Sequence, residues 1–432
     1  MSLIFYSFQG YKFVLFFLLE IIVNWIVGLI IEKNRKRKLS KLILILGLIF
    51  DIGFLIFFKF SNILLNTINN YFNYSMAEII LPIGISFYTF QEISYIVDVY
   101  KGQKCQKNLI NLGLYFSFFP QLIAGPIVRY KDIVPQLSKR TKSIDNISNG
   151  FIRFCTGLIK KVLIANQLGA FVDYVFNRNL NELGAEVLCL AAISYTFQIF
   201  FDFSGYSDMA IGLAKMFGFK IKENFNYPYI SKNFTEFWKR WHISLSTWFR
   251  DYVYIPLGGN KKGKIKTIRN LLIVWFLTGI WHGSSLNFLV WGMIWGTLII
   301  FEKFIFSPEK QSKLIRIIYN LFVIIMVIIL WVIFRSNSLT LSYEFLKNIV
   351  NINSWIMTES QLKFFLLSLH EIYIYLLLSL LFSFPIYEFI SKKIRINNIL
   401  IIIRYIVFLI LTILSISFII SGSYNPFLYF QF

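Results

Sequence analysis

Apolar runs the length of a bilayer-crossing helix alternate with short basic connectors along this chain. A spanning helix needs about 20 apolar residues. The first run covers about 11–31 and the second about 42–60, separated by Lys33, Arg35, Lys36, Arg37, Lys38 and Lys41. Further spans are predicted at about 270–301, 314–334, 372–390 and 400–420, with a more polar interval at 336–369. The segment 62–78 carries no Lys or Arg, whereas Lys101, Lys104 and Lys107 and the stretch 131–142 are basic. Basic loops stay in the cytoplasm, so the N-terminus is expected outside. The middle is less regular. Residues 119–126 are apolar but broken by Pro120 and Pro126. Irregular backbone is not tolerated against lipid, so this piece should be re-entrant and buried in protein. The aromatic and charged stretch 224–263 reads as interfacial or re-entrant helices. No internal repeat is evident, which weakens a transporter built on duplicated halves.

Composition sharpens this picture. Of 432 residues, 57% are hydrophobic and 15% charged, against roughly 45–50% and about 25% in soluble domains. The chain is therefore an all-α polytopic membrane protein. The net charge of +21 is read as loop orientation, and no nucleic-acid motif accompanies it. Cys105, Cys155 and Cys189 are scattered without a CxxC, so neither a disulfide framework nor a metal site is expected. The first run continues past signal-peptide length with no small-residue cleavage site after it.

Three histidines are present, and one, His282, lies between Trp281 and Gly283 inside an apolar stretch. An ionisable residue at membrane depth is a functional-site hypothesis by default, and imidazole exchanges protons near neutral pH. Gly279 and Gly283, and again Gly292 and Gly296, have the spacing that lets helices approach closely. A histidine merely hydrogen-bonded between helices is the competing reading. If residues 237–252 are one helix, Trp238, Trp241, Leu245, Trp248 and Tyr252 form an apolar stripe. Lys239, Arg240 and Arg250 then face water or phosphate. An interfacial amphipathic helix explains those residues, but His242 and Asp251 less well. Asp202 and Asp208, in an apolar segment with Gln198, must be paired or hydrogen-bonded. Arg240, Arg250 or Arg129 could serve, and a structural polar network competes with catalysis. No HExxH, Walker loop, GxGxxG or GxSxG pattern occurs. His370, before a span, is taken as surface or structural.

Taken together, the segments 81–91, 119–121 with 124–126, 201–208, 237–259, 279–283 and 425–432 resemble the membrane-bound O-acyltransferase family. The likeness is to its bacterial alginate/polysaccharide O-acetyltransferase branch. The resemblance implies about 11 transmembrane helices with re-entrant and interfacial pieces, as one membrane-embedded acyltransferase domain over 1–432. Peripheral N-terminal helices would occupy about 1–110, the catalytic core about 111–301 and C-terminal helices about 302–432. The family's catalytic histidine maps onto His282, and its second, more variable polar position onto His242. Gln198, Asp202, Asp208, Trp238, Arg240, Trp241, Ser244, Arg250, Asp251 and Trp281 are expected to bind substrate or form the supporting polar network.

The resemblance also implies a reaction. A cytoplasmic acyl thioester, acetyl-CoA by expectation, would serve as co-substrate with no bound cofactor. The acyl group would pass across a bacterial cytoplasmic membrane towards an extracytoplasmic glycan. His282 would act as base, and His242 would orient the acceptor or polarise the thioester carbonyl. Lys239, Arg240, Arg250, Lys261 and Lys262 could attract coenzyme A phosphates. An SGNH-type partner outside the membrane would receive the acetyl group and pass it to the glycan acceptor, and membrane lipids are the remaining expected partner. Three alternatives stay open: D-alanyl transfer towards teichoic acid, a transporter or flippase without chemistry, and lipid acylation.

Overall fold

The computed structural model describes residues 1–72, 78–141, 143–386, 398–422 and 424. Part of the polar segment 62–78, Lys142 in the basic stretch, the end of the 372–390 span and the closing 425–432 segment fall outside those residues. Among the described residues the chain is helical, with no strand. Seven described helices are long and apolar enough to cross a membrane. Tyr11–Lys33, Lys313–Arg335 and Asn398–Ile420 match expected apolar runs, whereas Lys38–Phe72 runs on from the expected 42–60 span into the segment 62–78, and Glu359–Phe382 overlaps the expected 372–390 span but begins inside the interval expected to be more polar. The helix Ala185–Met216 was not expected as a span, because Gln198, Asp202, Asp208 and several hydroxyls dilute its apolar run.

Two compact units share the chain. The first comprises Met1–Phe151, Ala210–Glu223 and Ser244–Leu257. Its helices Tyr11–Lys33, Lys38–Phe72 and Ile85–Tyr100 pack together around rings such as Phe17 and Tyr88, whose centroids lie 4.6 Å apart. The proline-broken segment belongs here. A single turn, Phe119–Leu122, leads into non-helical backbone with Ala124 and Ile127 buried. Its polar groups are satisfied by protein: Ile127 N donates to Ser244 Oγ at 2.9 Å, and Tyr115 OH donates to the Val128 carbonyl at 2.8 Å. This is the condition under which irregular backbone survives in an apolar medium. Gly84, at φ +77°, lies against the Leu122 carbonyl, where a Cβ has no room.

The second unit comprises Ile152–Met209, Asn224–Ile243 and Gly258–Phe432. Here the expected span at 270–301 is corrected. It is not one helix but a hairpin of Lys264–His282 and Leu286–Phe304, joined by residues 283–285. Extended backbone at Gly283 stops the first helix, and Ser285 leads into the second. The glycines seat one helix on the other. A Cβ on Gly279 would lie 2.6 Å from the Phe288 carbonyl oxygen, and one on Gly292 would lie 2.5 Å from that of Trp275. Close approach through small residues is the usual device of helix pairs in membranes.

Candidate active site

His282 ends the first helix of that hairpin and is buried among rings. Its centroid lies 4.8 Å from Trp281, 5.1 Å from Trp291 and 5.1 Å from Phe334, each steeply inclined to the imidazole. The cage is braced from behind. Trp291 stacks on Trp331 at 6.1 Å and meets Trp238 edge-on at 5.9 Å. Asn287 Nδ2 donates to the Ile333 and Ser336 carbonyls at 3.2 and 2.6 Å, closing the end of the helix that carries Phe334. Arg335 is fixed by Asp173 at 2.5 Å. Burial among rings means that any charge forming on the imidazole feels its neighbours strongly.

His242 does not lie on a continuous helix. Short helices Phe234–Arg240 and Ile243–Phe249 flank it, and its own backbone is left-handed at φ +42°. The stripe expected on one helix over 237–252 is therefore not formed. Trp238 and Trp241 belong to the second unit, while Trp248 stacks on Phe90 within the first at 3.8 Å. A non-glycine residue in that conformation must be held by its surroundings. Ile243 N donates to the Asn224 carbonyl and Asn226 N to the Arg240 carbonyl, both at 2.9 Å. The imidazole Nδ1 meets Asn224 Oδ1 at 3.2 Å, and Asn224 Nδ2 donates to Ser207 Oγ at 3.2 Å. An amide oxygen only accepts, so in this arrangement the proton sits on Nδ1 and Nε2 carries the lone pair. Complete burial pushes the His242 pKa down to about 3, which keeps the ring neutral at physiological pH. Phe203 packs edge-on at 4.6 Å. Trp281 lies between the two histidines, 6.2 Å from His242 and 4.8 Å from His282.

Both aspartates are ion-paired, but not by the arginines expected. Asp202 pairs with Lys161 at 2.6 Å. Asp208 pairs with Arg153 at 2.6 Å and Lys160 at 2.7 Å. The cause is a helix crossing at which Gly205 and Gly157 leave no room for side chains. That contact brings the 153–161 face to the two aspartates. Arg240 instead pairs with Glu236 at 2.8 Å. Arg129 pairs with Asp251 at 2.6 Å, Lys131 joins at 2.9 Å, and Arg250 reaches the same carboxylate at 2.9 Å. Ser244, Arg250 and Asp251 thus belong to the first unit, and Gln198, Asp202, Asp208, Trp238, Arg240, Trp241, His242, Trp281 and His282 to the second. Gln198 is buried beside Gly169. His370 is exposed on the helix Glu359–Phe382.

Sequence reasoning missed Asn224, Phe203, Phe334 and Glu302. Glu302 accepts hydrogen bonds from Phe234 N at 2.5 Å, Thr235 N at 2.9 Å, Thr235 Oγ1 at 2.7 Å and Tyr319 OH at 2.9 Å. A carboxylate at a helix N-terminus satisfies its free N–H groups. This one anchors the short helix that leads into Trp241 and His242.

A multi-pass helical protein with a histidine caged by rings beside a second, buried histidine is the class that fold and site define. The sequence model of the MBOAT, membrane-bound O-acyltransferase, family matches residues 106–343, and the chain belongs to that family. It is an O-acyltransferase, and its reaction uses an acyl donor. It is 40% identical over 366 residues to the probable alginate O-acetylase AlgI of Pseudomonas aeruginosa, covering 83% of this chain and 70% of that protein. The peptidoglycan O-acetyltransferase of Helicobacter pylori is 34% identical over 384 residues, covering 82% and 73% of the two chains. The teichoic acid D-alanyltransferase of Bacillus subtilis is more distant, at 32% over 247 residues, covering 54% and 61%.

Proposed function

We propose that this protein transfers an acetyl group from a cytoplasmic thioester, acetyl-CoA, towards an extracytoplasmic cell-envelope or exopolysaccharide glycan, with His282 as base. The observation that carries this is His282 in its aromatic cage, one tryptophan away from His242, in a chain whose relatives include alginate and peptidoglycan O-acetylating proteins. A ring nitrogen of His282 takes the acceptor hydroxyl proton as the oxygen attacks the thioester carbonyl. The C–S bond breaks, the ester C–O bond forms, and the imidazolium returns the proton to the leaving thiolate. With its proton on Nδ1, His242 offers Nε2 as an acceptor. It therefore suits orientation of the acceptor hydroxyl better than polarisation of the carbonyl.

The basic residues Lys239, Arg240, Arg250, Lys261 and Lys262 favour a cytoplasmic side for those loops, and the basic block from Lys33 to Lys41 after the first span favours an outward N-terminus in a bacterial inner membrane. An SGNH-type protein outside the membrane is the proposed recipient that completes transfer to the polymer. Greater identity to the O-acetylating relatives than to the D-alanyl one favours acetyl. The test is thiol release from acetyl-CoA by the purified protein in proteoliposomes supplied with the SGNH-type acceptor protein. His282→Ala should abolish release while melting like wild type. Near-normal release by a folded His282→Ala protein would sink the assignment.

A further inference from the structure

Glu20, Asp51 and Glu92 stand on three packed helices of the first unit, Tyr11–Lys33, Lys38–Phe72 and Ile85–Tyr100, and all three are sealed from solvent. Among the described residues none of them has a basic side chain within ion-pair distance. Such a carboxyl group takes up a proton rather than stay charged in apolar surroundings. Asn24 supplies an independent sign of where that proton is. It is 1% exposed, and its Nδ2 donates to Asp51 Oδ1 at 2.9 Å and to the Glu20 carbonyl at 3.1 Å. Its own Oδ1 meets no donor, and neither does Asp51 Oδ2. Two leftover acceptors on one amide–carboxyl pair are both satisfied by a single hydrogen between them.

We propose that Asp51 is a proton-binding site. Its Oδ2 carries a proton donated to Asn24 Oδ1, so that acid and amide exchange two hydrogen bonds between the helices Tyr11–Lys33 and Lys38–Phe72. The groups around the pair are Glu20 and Tyr6 on the N-terminal side, Tyr88 and Glu92 on Ile85–Tyr100, and Lys59 two turns further along Asp51's own helix. Losing the proton would leave a carboxylate charge in apolar surroundings with no basic side chain within ion-pair distance among the described residues. The helix pair is therefore held while the proton is bound and weakened as pH rises through its release. The site lies outside the His282 and His242 chemistry, and its test is independent of acyl transfer.

The experiment uses the full chain in lipid nanodiscs. Infrared spectra at neutral pH should contain a protonated-carboxyl C=O band that moves on carbon-13 labelling of aspartate and vanishes in Asp51→Asn. An asparagine at this position reproduces the two-bond pair, since its Nδ2 can donate to Asn24 Oδ1. Asp51→Asn should therefore fold, melt no lower than wild type at neutral pH, and lose part of the alkaline fall in melting temperature. Asn24→Leu should melt lower. Absence of the aspartate band from the wild-type protein overturns the proposal, as does an Asp51→Asn protein that is destabilised or cannot be inserted. Sodium that raises the wild-type melting temperature and blocks carbodiimide labelling of Asp51 also overturns it, because the ligand would then be a metal cation.

Discussion

Removing the Glu302 carboxylate tests whether the loop bearing His242 is held in place from the hairpin. Glu302→Ala leaves two backbone N–H groups and two hydroxyls without their acceptor, at distances of 2.5 to 2.9 Å in the wild type. A hydrogen bond to a charged group contributes about 1.5–3 kcal/mol. The four share one carboxylate and are not additive, so the expected loss is about 3–5 kcal/mol, well below four such bonds summed. Glu302→Gln should recover less than half, because its amide NH2 would face donors. Misplacement by about 1 Å can cost on the order of 100-fold in rate. Turnover should therefore fall at least about tenfold in protein that still inserts. The assay pairs a tryptophan-fluorescence melt in nanodiscs with thiol release from acetyl-CoA on the same sample. A Glu302→Ala protein that melts like wild type and turns over within about twofold would refute the coupling.

Three further outcomes follow from the site. His242, with its pKa depressed to about 3 in the folded chain, binds no proton there between pH 6.5 and 3, whereas an unfolded histidine does. Stability should thus be full above about pH 6.5 and fall by up to about 1.4 kcal/mol per unit below it. His242→Gln should remove that share of the slope in acid melts, and an unchanged slope would contradict the burial argument. Gly292→Leu puts a side chain where a Cβ alone would lie 2.5 Å from the Trp275 carbonyl oxygen. Melting temperature and turnover should both drop sharply, while Gly53→Leu, which meets nothing within 4 Å, should leave both unchanged. Asp202→Asn removes the carboxylate from Lys161, whose Nζ still donates to Asn166 Oδ1 at 2.7 Å, and a double-mutant cycle with Lys161→Met should give a coupling of at least about 1 kcal/mol. A coupling near zero would mean that the 2.6 Å pair contributes nothing to folding.

What could be read from the chain follows from which signals are local. Apolar runs bounded by basic blocks are local, so Tyr11–Lys33 and Lys313–Arg335 emerge within two residues of expectation. The hairpin break is marked only by Gly283 and two serines, a weak signal inside an apolar stretch, and the two helices merged into one. Partners of buried charges depend on helix crossings. The Gly157–Gly205 contact selects Arg153, Lys160 and Lys161 as the partners of the two aspartates, and no spacing rule reveals it. Asn224 and Glu302 act through fixed backbone segments and look like stray polar residues in sequence. Glu20 and Asp51 are legible as acids inside otherwise apolar runs, whereas their approach to Asn24 and Glu92 depends on how three helices pack.

The central claim is that His282 drives acetyl transfer towards an envelope glycan. It is tested most directly by ester-linked acetate and D-alanine in envelope glycans from wild type, a deletion, and the deletion complemented with His282→Ala. The account predicts that ester acetate is lost in the deletion and stays absent with the variant, while ester D-alanine is unchanged. Loss of D-alanine with acetate intact, or acetate restored by His282→Ala, would contradict it.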